Sequence, residues 1–319
     1  MLNATISSFS YPDSKTVLKE VSFKLEKGEH LAILGESGCG KSTLLHLLYG
    51  LLQLEEGEII WNGKPLLGPA SNLVPGESFM KLVAQEFNIM PFTSVAENVA
   101  EYLNRVNPEK DNQRVNELLD ALELKDFRNT KVKLLSGGQK QRVALAKALA
   151  KTPDVLLLDE PFSNIDTFKK RNLRRKLFKY LKESNCTIIT ATHDAEEALQ
   201  FSDKLLVLKE GGVKAYGKTK DVYKNSNTPY LAGFFGDFSV LPNAVIGISN
   251  SLETKIVFAH QLVISNEKTP LKVIIKNSYF KGANYLIEAS YKDSIVYFNS
   301  PSILKKETVY LRYINDYES

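Results

Sequence analysis

Only two cysteines, Cys39 and Cys186, occur in 319 residues. They cannot build a disulfide framework, so the fold has to rest on a buried core, and a reducing compartment is the expected setting. Long apolar runs are missing too. The nearest approach, LLHLLYGLLQL at 44–54, contains His46 and a glycine and falls far short of the roughly 18–20 residues a membrane helix needs. The amino terminus, MLNATISSFSYPDSK, lacks a basic start followed by an apolar core, so no signal peptide is expected. Nor does one charge dominate. The 41 basic and 37 acidic residues leave a net +4 with no tail or block, which argues against an arm for nucleic acid or anionic lipid. There is no internal repeat and no low-complexity segment. What is present, 43% hydrophobic and 24% charged residues, is an ordinary folded composition, and the length suits about two domains of roughly 150 residues.

The first part reads as alternating strands and helices. Val21, Phe23 and Leu25 alternate with polar neighbours, as in a half-buried strand. HLAILG (30–35) is a short apolar run of the kind found in buried parallel strands, and helical spacing follows from Ser42 to about Tyr49. EIIWNG (58–63) predicts a strand closed by an Asn-Gly turn, and MKLVAQ (80–85) another strand. SVAENVAEYL, RVNELLDAL and SGGQKQRVALAKALA carry helical periodicity, so residues from about 86 to 152 read as a helical insertion. Strand signals return with VLLLDEP (155–161), CTIITATH (186–193) and KLLVLKEGG (204–212). From Lys255 onward come short β-rich pieces (KIVFA, QLVIS, KVIIK, NYLIEAS, SIVYF, TVYLRYI), which suggest a small all-β sandwich or barrel.

The stretch GESGCGKST (35–43) has Gly35 and Gly40 separated by four residues, with Lys41 and Ser42 immediately after. Bare backbone lets N–H groups point inward around a phosphate chain, and the following helix offers its positive end. Gly35, Glu36, Ser37, Gly38, Cys39, Gly40, Lys41, Ser42 and Thr43 form the candidate nucleotide loop. Lys41 would reach the β- and γ-phosphates and the Ser42 hydroxyl would hold Mg²⁺. VLLLDEP brings Asp159 and Glu160 to the end of a buried strand, where α/β proteins bind ligands. Asp159 suits Mg²⁺, and Glu160 suits a general base for the attacking water. Cys39, near a helix N-terminus, invites the idea of a lowered thiol pKa and a redox role, although a passive small residue is the simpler reading. The basic run FKKRNLRRKLFK (168–179) tempts one toward nucleic acid. Phe168, Leu173, Leu177 and Leu181 fall near helical spacing, which predicts a helix with its cations on the solvent face.

LSGGQKQR (135–142) places a serine and two glycines ahead of an apolar helix, a second phosphate-type helix end. Here the chain resembles the ATP-binding subunits of ABC transporters. The glycine loop matches their Walker A motif, LSGGQ their signature and VLLLDEP their Walker B, in family order over residues 1–236. The resemblance implies a P-loop NTPase (RecA-like) α/β core with a helical subdomain. It also implies roles for lesser motifs. Gln85 falls where a glutamine contacts Mg²⁺ and the membrane subunit. SNID (163–166) falls at the D-loop with Asp166, although Asn164 and Ile165 replace the commoner Ala and Leu. His193 matches the switch histidine that contacts the γ-phosphate, and Tyr11, near Phe9, matches the aromatic that stacks on adenine. In the resembling family two subunits sandwich ATP head to tail, so Ser136, Gly137, Gly138 and Gln139 of one would meet the γ-phosphate held by the other. The implied protein is a homodimeric ATPase on the cytoplasmic, inner face of the membrane. It would drive separate transmembrane permease subunits and meet a solute-binding protein indirectly.

Residues 237–319 resemble the small OB-like regulatory domain of import ATPases for polyamines, ferric iron, maltose and molybdate. YFKGANYLIEAS and the final TVYLRYI fit that pattern. At VFAHQLVISNE (257–267) the arginine and proline of its Arg-Pro-Glu-type segment are absent. The expected function is therefore ATP-driven import of ferric ion, polyamine or a similar small solute. The competing class is a soluble ABC ATPase acting on nucleic acid or ribosomes, with Tyr279, Phe280 and Tyr291 as stacking platforms. Nine basic and eight acidic residues from 237 onward make a poor electrostatic groove, so no nucleic acid is expected.

Overall fold

β1 (Leu2–Ser10) and β2 (Thr16–Leu25) form an antiparallel pair in which Val21, Phe23 and Leu25 are buried and their neighbours face out. In this computed structural model, which describes residues 1–13, 15–104, 106–248, 251, 253–305 and 307–314, the expected alternation of strands and helices follows. β3 (His30–Leu34) is buried throughout, and α1 (Lys41–Tyr49) follows the glycine loop. β4 (Glu56–Trp61) and β5 (Lys64–Pro65) are joined through Asn62 and Gly63, both at positive φ, as a tight hairpin between right-twisted strands requires. β6 (Met80–Val83) stops two residues short of Gln85.

Three helices then intervene before the sheet resumes: α2 (Val95–Ala100), α3 (Pro108–Ala121) and α4 (Gly137–Leu149). Capping boxes at Ser94/Glu97 and Ser136/Gln139 satisfy the free N–H groups that open α2 and α4. β7 (Val155–Asp159), α5 (Thr167–Glu183), β8 (Thr187–Thr192), α6 (Ala195–Phe201), β9 (Lys204–Lys209) and β10 (Gly212–Lys218) complete the first unit's core. Its ten-stranded sheet runs β5-β4-β1-β2-β10-β9-β3-β8-β7-β6. Within it β9, β3, β8, β7 and β6 are parallel, so their carboxyl ends share one edge. One hydrophobic core gathers α1 with β1, β2 and the sheet; another gathers α2–α5.

α5 departs from expectation. Leu173, Leu177 and Leu181 are buried as the spacing predicts, but Phe168 is 90% exposed and Arg174 is buried. A cation therefore occupies part of the face that the pattern assigned to apolar residues. Its partners, described below, are on α6.

The chain divides into two compact units, Met1–Lys220 and Asp221–Ser319, earlier than the expected boundary at 236. α7 (Thr219–Lys224) crosses that division and α8 (Pro229–Phe235) follows. Aromatic contacts explain the shift. Tyr223 stacks on Phe258 with ring centroids 5.3 Å apart and meets Phe235 edge-on at 5.3 Å, so residues 221–236 pack with the β-rich unit. That unit holds a ribbon of β11 (Phe238–Pro242) and β12 (Thr254–Phe258). It also has a five-stranded antiparallel sheet made from β13 (Leu262–Ser265), β14 (Leu271–Phe280), β15 (Tyr285–Tyr291), β16 (Ser294–Ser300) and β17 (Thr308–Tyr313), ordered β13-β17-β14-β15-β16. Leu241, Val257, Val273, Ile287, Val296 and Phe298 close a core of its own.

Candidate active site

The loop after β3 has the shape its glycines allow. Gly38 and Gly40 adopt positive φ (78° and 104°), a region costly for residues with a Cβ. A Cβ on Gly35 would lie 2.5 Å from Cys39 Sγ and 2.7 Å from the Leu208 carbonyl oxygen, so that glycine serves close packing. A Cβ on Gly38 would meet nothing, which leaves the inner face of the loop open. Lys41 is buried, and its Nζ donates to the Gly35 and Glu36 carbonyls at 2.8 and 2.9 Å, where the loop itself holds the charge. The Tyr11 hydroxyl lies 3.1 Å from Thr43 Oγ1, and the Tyr11 ring meets Phe9 edge-on at 5.2 Å. Burial pushes the Cys39 thiol above its ordinary value despite the neighbouring Lys41, opposite to what a reactive thiolate requires.

Asp159 ends β7 and pairs across the sheet with Ala191 of β8, so the acidic pair and His193 emerge side by side. Asp159 is 3% exposed. Burial raises its carboxyl above the usual range, against the hydrogen bond of the Ser42 hydroxyl. Its Oδ1 is buried without a hydrogen-bond partner among the described residues. An orphaned carboxylate oxygen beside a serine hydroxyl is the donor set of a hard divalent cation, so these residues fit Mg²⁺. Gln85 is exposed in the loop beyond β6, on the same edge of the sheet.

Glu160 Oε2 lies 2.6 Å from His193 Nδ1. The backbone of Glu160 sits at φ 51°, in the left-handed region, which a non-glycine residue enters only when its surroundings hold it there. Hydrogen bonds at its N–H and its carbonyl do so. Its N–H donates to the Ala191 carbonyl at 3.0 Å, and its own carbonyl accepts from Gln141 Nε2 at 2.9 Å and from Ser163 Oγ at 3.1 Å. Gln141 also accepts from the Asn164 N–H at 3.2 Å, so this buried side chain of α4 ties Glu160 to the SNID turn. Sequence reasoning missed Gln141. The available signal was a polar residue on the face of α4 that carries Leu145 and Leu149.

Ser136, Gly137, Gly138 and Gln139 open α4 and line a cavity of about 330 Å³ with Arg142, Asn164, Ile165 and Asp166. A Cβ on Gly138 would lie 2.7 Å from the Asn164 carbonyl oxygen, so the signature turn and the SNID turn are packed together. Gln139 turns back on its own cap, its Oε1 accepting from the Ser136 N–H at 2.8 Å. Asp166 caps α5, accepting from the Phe168 N–H at 3.5 Å. Among the described residues no member of the glycine loop lines this cavity. One chain thus presents two separate groups: the loop with Asp159, Glu160 and His193, and the signature turn with Asp166.

Behind His193, the Asp194 carboxylate caps α6 and pairs with Arg174 and Lys170 of α5, at 2.6 and 3.2 Å. Arg174 also reaches Glu197 at 2.7 Å. Burial alone would raise the Asp194 carboxyl, but hydrogen bonds from Arg174 and the Glu197 N–H hold it at about 2. Burial pushes Glu197 up to about 7, against the pull of Arg174. Sequence reasoning did not single out any of these four.

Comparison with known proteins bears on the family and the fold. The family model described as ABC transporter matches residues 18–163. The spermidine/putrescine import ATP-binding protein PotA of Clostridium novyi is 31% identical over 84% of this chain and 82% of its own length. The sulfate/thiosulfate import ATP-binding protein CysA of Synechocystis sp. is 37% identical over 71% of this chain and 63% of its own length. The dimeric, post-hydrolysis structure of the ATP-binding cassette MJ0796 with ADP and Pi superposes with a TM-score of 0.58 at 29% identity, over 69% of this chain and 99% of that one. No helix among the described residues is long and apolar enough to cross a membrane. With the family model and a relative matched over 82% of its own length at 31% identity, the chain belongs to the ABC transporter ATPase family.

Proposed function

We propose that this ATPase powers import of a small solute of the polyamine or ferric-ion kind, acting as a homodimer on the inner face of the membrane through separate permease subunits. The observation that carries the hydrolytic part is the 2.6 Å contact between Glu160 and His193 at the strand ends beside the glycine loop. In this reading Lys41 leaves its carbonyl partners for the β- and γ-phosphates, and Tyr11 supports the adenine. Glu160 takes the proton of the attacking water, and His193 orients that carboxylate and meets the γ-phosphate. Ser42 and Asp159, with Gln85 nearby, would hold Mg²⁺, which neutralises phosphate charge when bound. Ser136, Gly137, Gly138, Gln139 and Asp166 would complete the partner's site. In this reading all of these groups belong to the unit of residues 1–220, and the β-rich unit is regulatory.

Cargo choice is assigned to the membrane and solute-binding partners. Relatives named for a cationic polyamine and for sulfate match this chain at 31% and 37% identity, so similarity over the ATPase unit does not by itself select the charge of the cargo. The match to the polyamine relative covers 84% of this chain, more than the first unit alone, which supports the cationic side of the assignment.

Glu160→Gln tests the hydrolytic assignment. It removes the base while keeping size and hydrogen bonding, so steady-state turnover should fall roughly 10²–10⁴-fold while ATP still binds and holds a dimer on sizing chromatography. Near-normal turnover would take Glu160 out of the mechanism.

A further inference from the structure

The charged cluster behind His193 is poorly built for stability. Arg174 uses one nitrogen, Nη2, for both Asp194 Oδ2 (2.6 Å) and Glu197 Oε2 (2.7 Å). The side chains of Arg174 and Glu197 are 7% and 3% exposed, so both charges have lost their water. Arg174 Nε and Glu197 Oε1 have no hydrogen-bond partner among the described residues. Burying ions in this incomplete way costs desolvation that a single shared donor does not recover, and apolar packing of equal volume would serve the fold as well or better. The buried link to Glu197 therefore gives little reason of stability for an arginine here, although Asp194 gains from it.

Position gives one. Arg174 lies two turns along α5 from Asp166, and its guanidinium sits over Phe162, 5.3 Å from the ring centre, in the turn that leads from Glu160 to Asp166. Its acceptors, Asp194 and Glu197, follow His193 in the chain. Asp194 directly follows the histidine, donates its N–H to Thr192 Oγ1 at 3.0 Å and accepts the Glu197 N–H on Oδ1 at 3.1 Å. The His193 side chain is 64% exposed and has little packing of its own, so the turn that carries it has to be fixed from behind. We propose that Arg174 is a positioning residue for ATP hydrolysis. Holding Asp194 and Glu197 from α5, it aims His193 at Glu160 and ties that aim to the Asp166 end of the same helix. The inference rests on the hydrolytic roles given to Glu160 and His193 above.

The test separates aim from stability. Arg174→Met alone strands the buried Glu197 carboxylate, so the informative variant is Arg174→Met with Glu197→Met, which replaces the buried link by apolar packing and leaves Asp194 with Lys170 and its cap. The melting temperature should stay within a few degrees of the parent. KM for ATP should hold within about twofold, and kcat should fall roughly 10- to 100-fold, the order that a 1 Å misplacement costs. A second readout needs no nucleotide. The ¹⁵N ring signals of His193, assigned by loss in His193→Gln, should report an Nδ1–H tautomer bonded to Glu160 in the parent and a tautomer mixture in the double variant. Arg174→Lys reaches one carboxylate at a time and should lower kcat about threefold at constant KM; where the double variant does not fold, this variant decides alone. Parental kcat in the folded variants with His193 signals unmoved overturns the proposal. If instead Glu160→Gln turns over normally, the hydrolytic reading fails first, whatever Arg174 does to the His193 ring.

Discussion

Two carboxylates share Arg174, and their titrations run in opposite directions. Asp194 is held at about 2 because Arg174 and the Glu197 N–H bond its charged form; Glu197, deeper, is pushed up to about 7 by desolvation. For Asp194 the folded value lies below the unfolded value of about 3.9, so on acidification the unfolded chain binds its proton first. The stability that Asp194 contributes is complete above about pH 4 and is lost between about pH 4 and pH 2. Glu197 has the opposite sign: its contribution declines as pH rises from about 4 through 7. Asp194→Asn keeps a side-chain cap for α6 but gives up the charge. Its melting temperature should lie several degrees below the parent at pH 5, with the gap closing toward pH 2. A gap of constant size across a series of thermal melts from pH 2.5 to 7 would remove the ion pair from acid stability and leave only the cap.

At the scale of elements, α4 holds more than its own signature turn, because Gln141 reaches across to the Glu160 carbonyl and the Asn164 N–H. Gln141→Leu preserves the volume and deletes both bonds. Leaving Glu160 with one side-chain donor and the Asn164 N–H with none should cost about 1–3 kcal/mol of stability, read by denaturant melts. Turnover should drop roughly 10-fold with ATP affinity held, since the left-handed Glu160 loses a restraint; unchanged kcat in the folded variant would deny Gln141 any hold on the base. The strands around this contact were legible from the sequence, because VLLLDEP, HLAIL and CTIITATH are apolar runs closed by chemistry-bearing residues. The signature helix was legible from its serine and glycines. Gln141 and Arg174 were not, and for one physical reason. Each is a polar residue on a buried helix face, tolerated only because an acceptor some twenty residues away in sequence meets it there. Phe168 fell the other way, since Asp166 starts α5 in a register that turns that ring outward.

For the whole molecule, the shared-site proposal starts from one observation: among the described residues no member of the glycine loop lines the cavity at Ser136–Gln139. A lone copy therefore offers two half-sites, and two copies arranged head to tail would close both. Mixing two defective chains tests this arrangement. Lys41→Ala removes the phosphate-binding cation, and Ser136→Arg fills the signature cavity with a long side chain; each is combined with Glu160→Gln so that bound ATP is retained. Alone, neither variant should form an ATP-held dimer, because every site in either homodimer carries a defect. In a mixed pair, one site unites both defects and the other unites an intact loop with an intact signature turn. Sizing chromatography with radiolabelled ATP should then recover a dimer that carries one nucleotide. If no ATP-held dimer appears in the mixture although cross-linking shows that mixed pairs form, each chain completes its own site, and the shared-site reading fails.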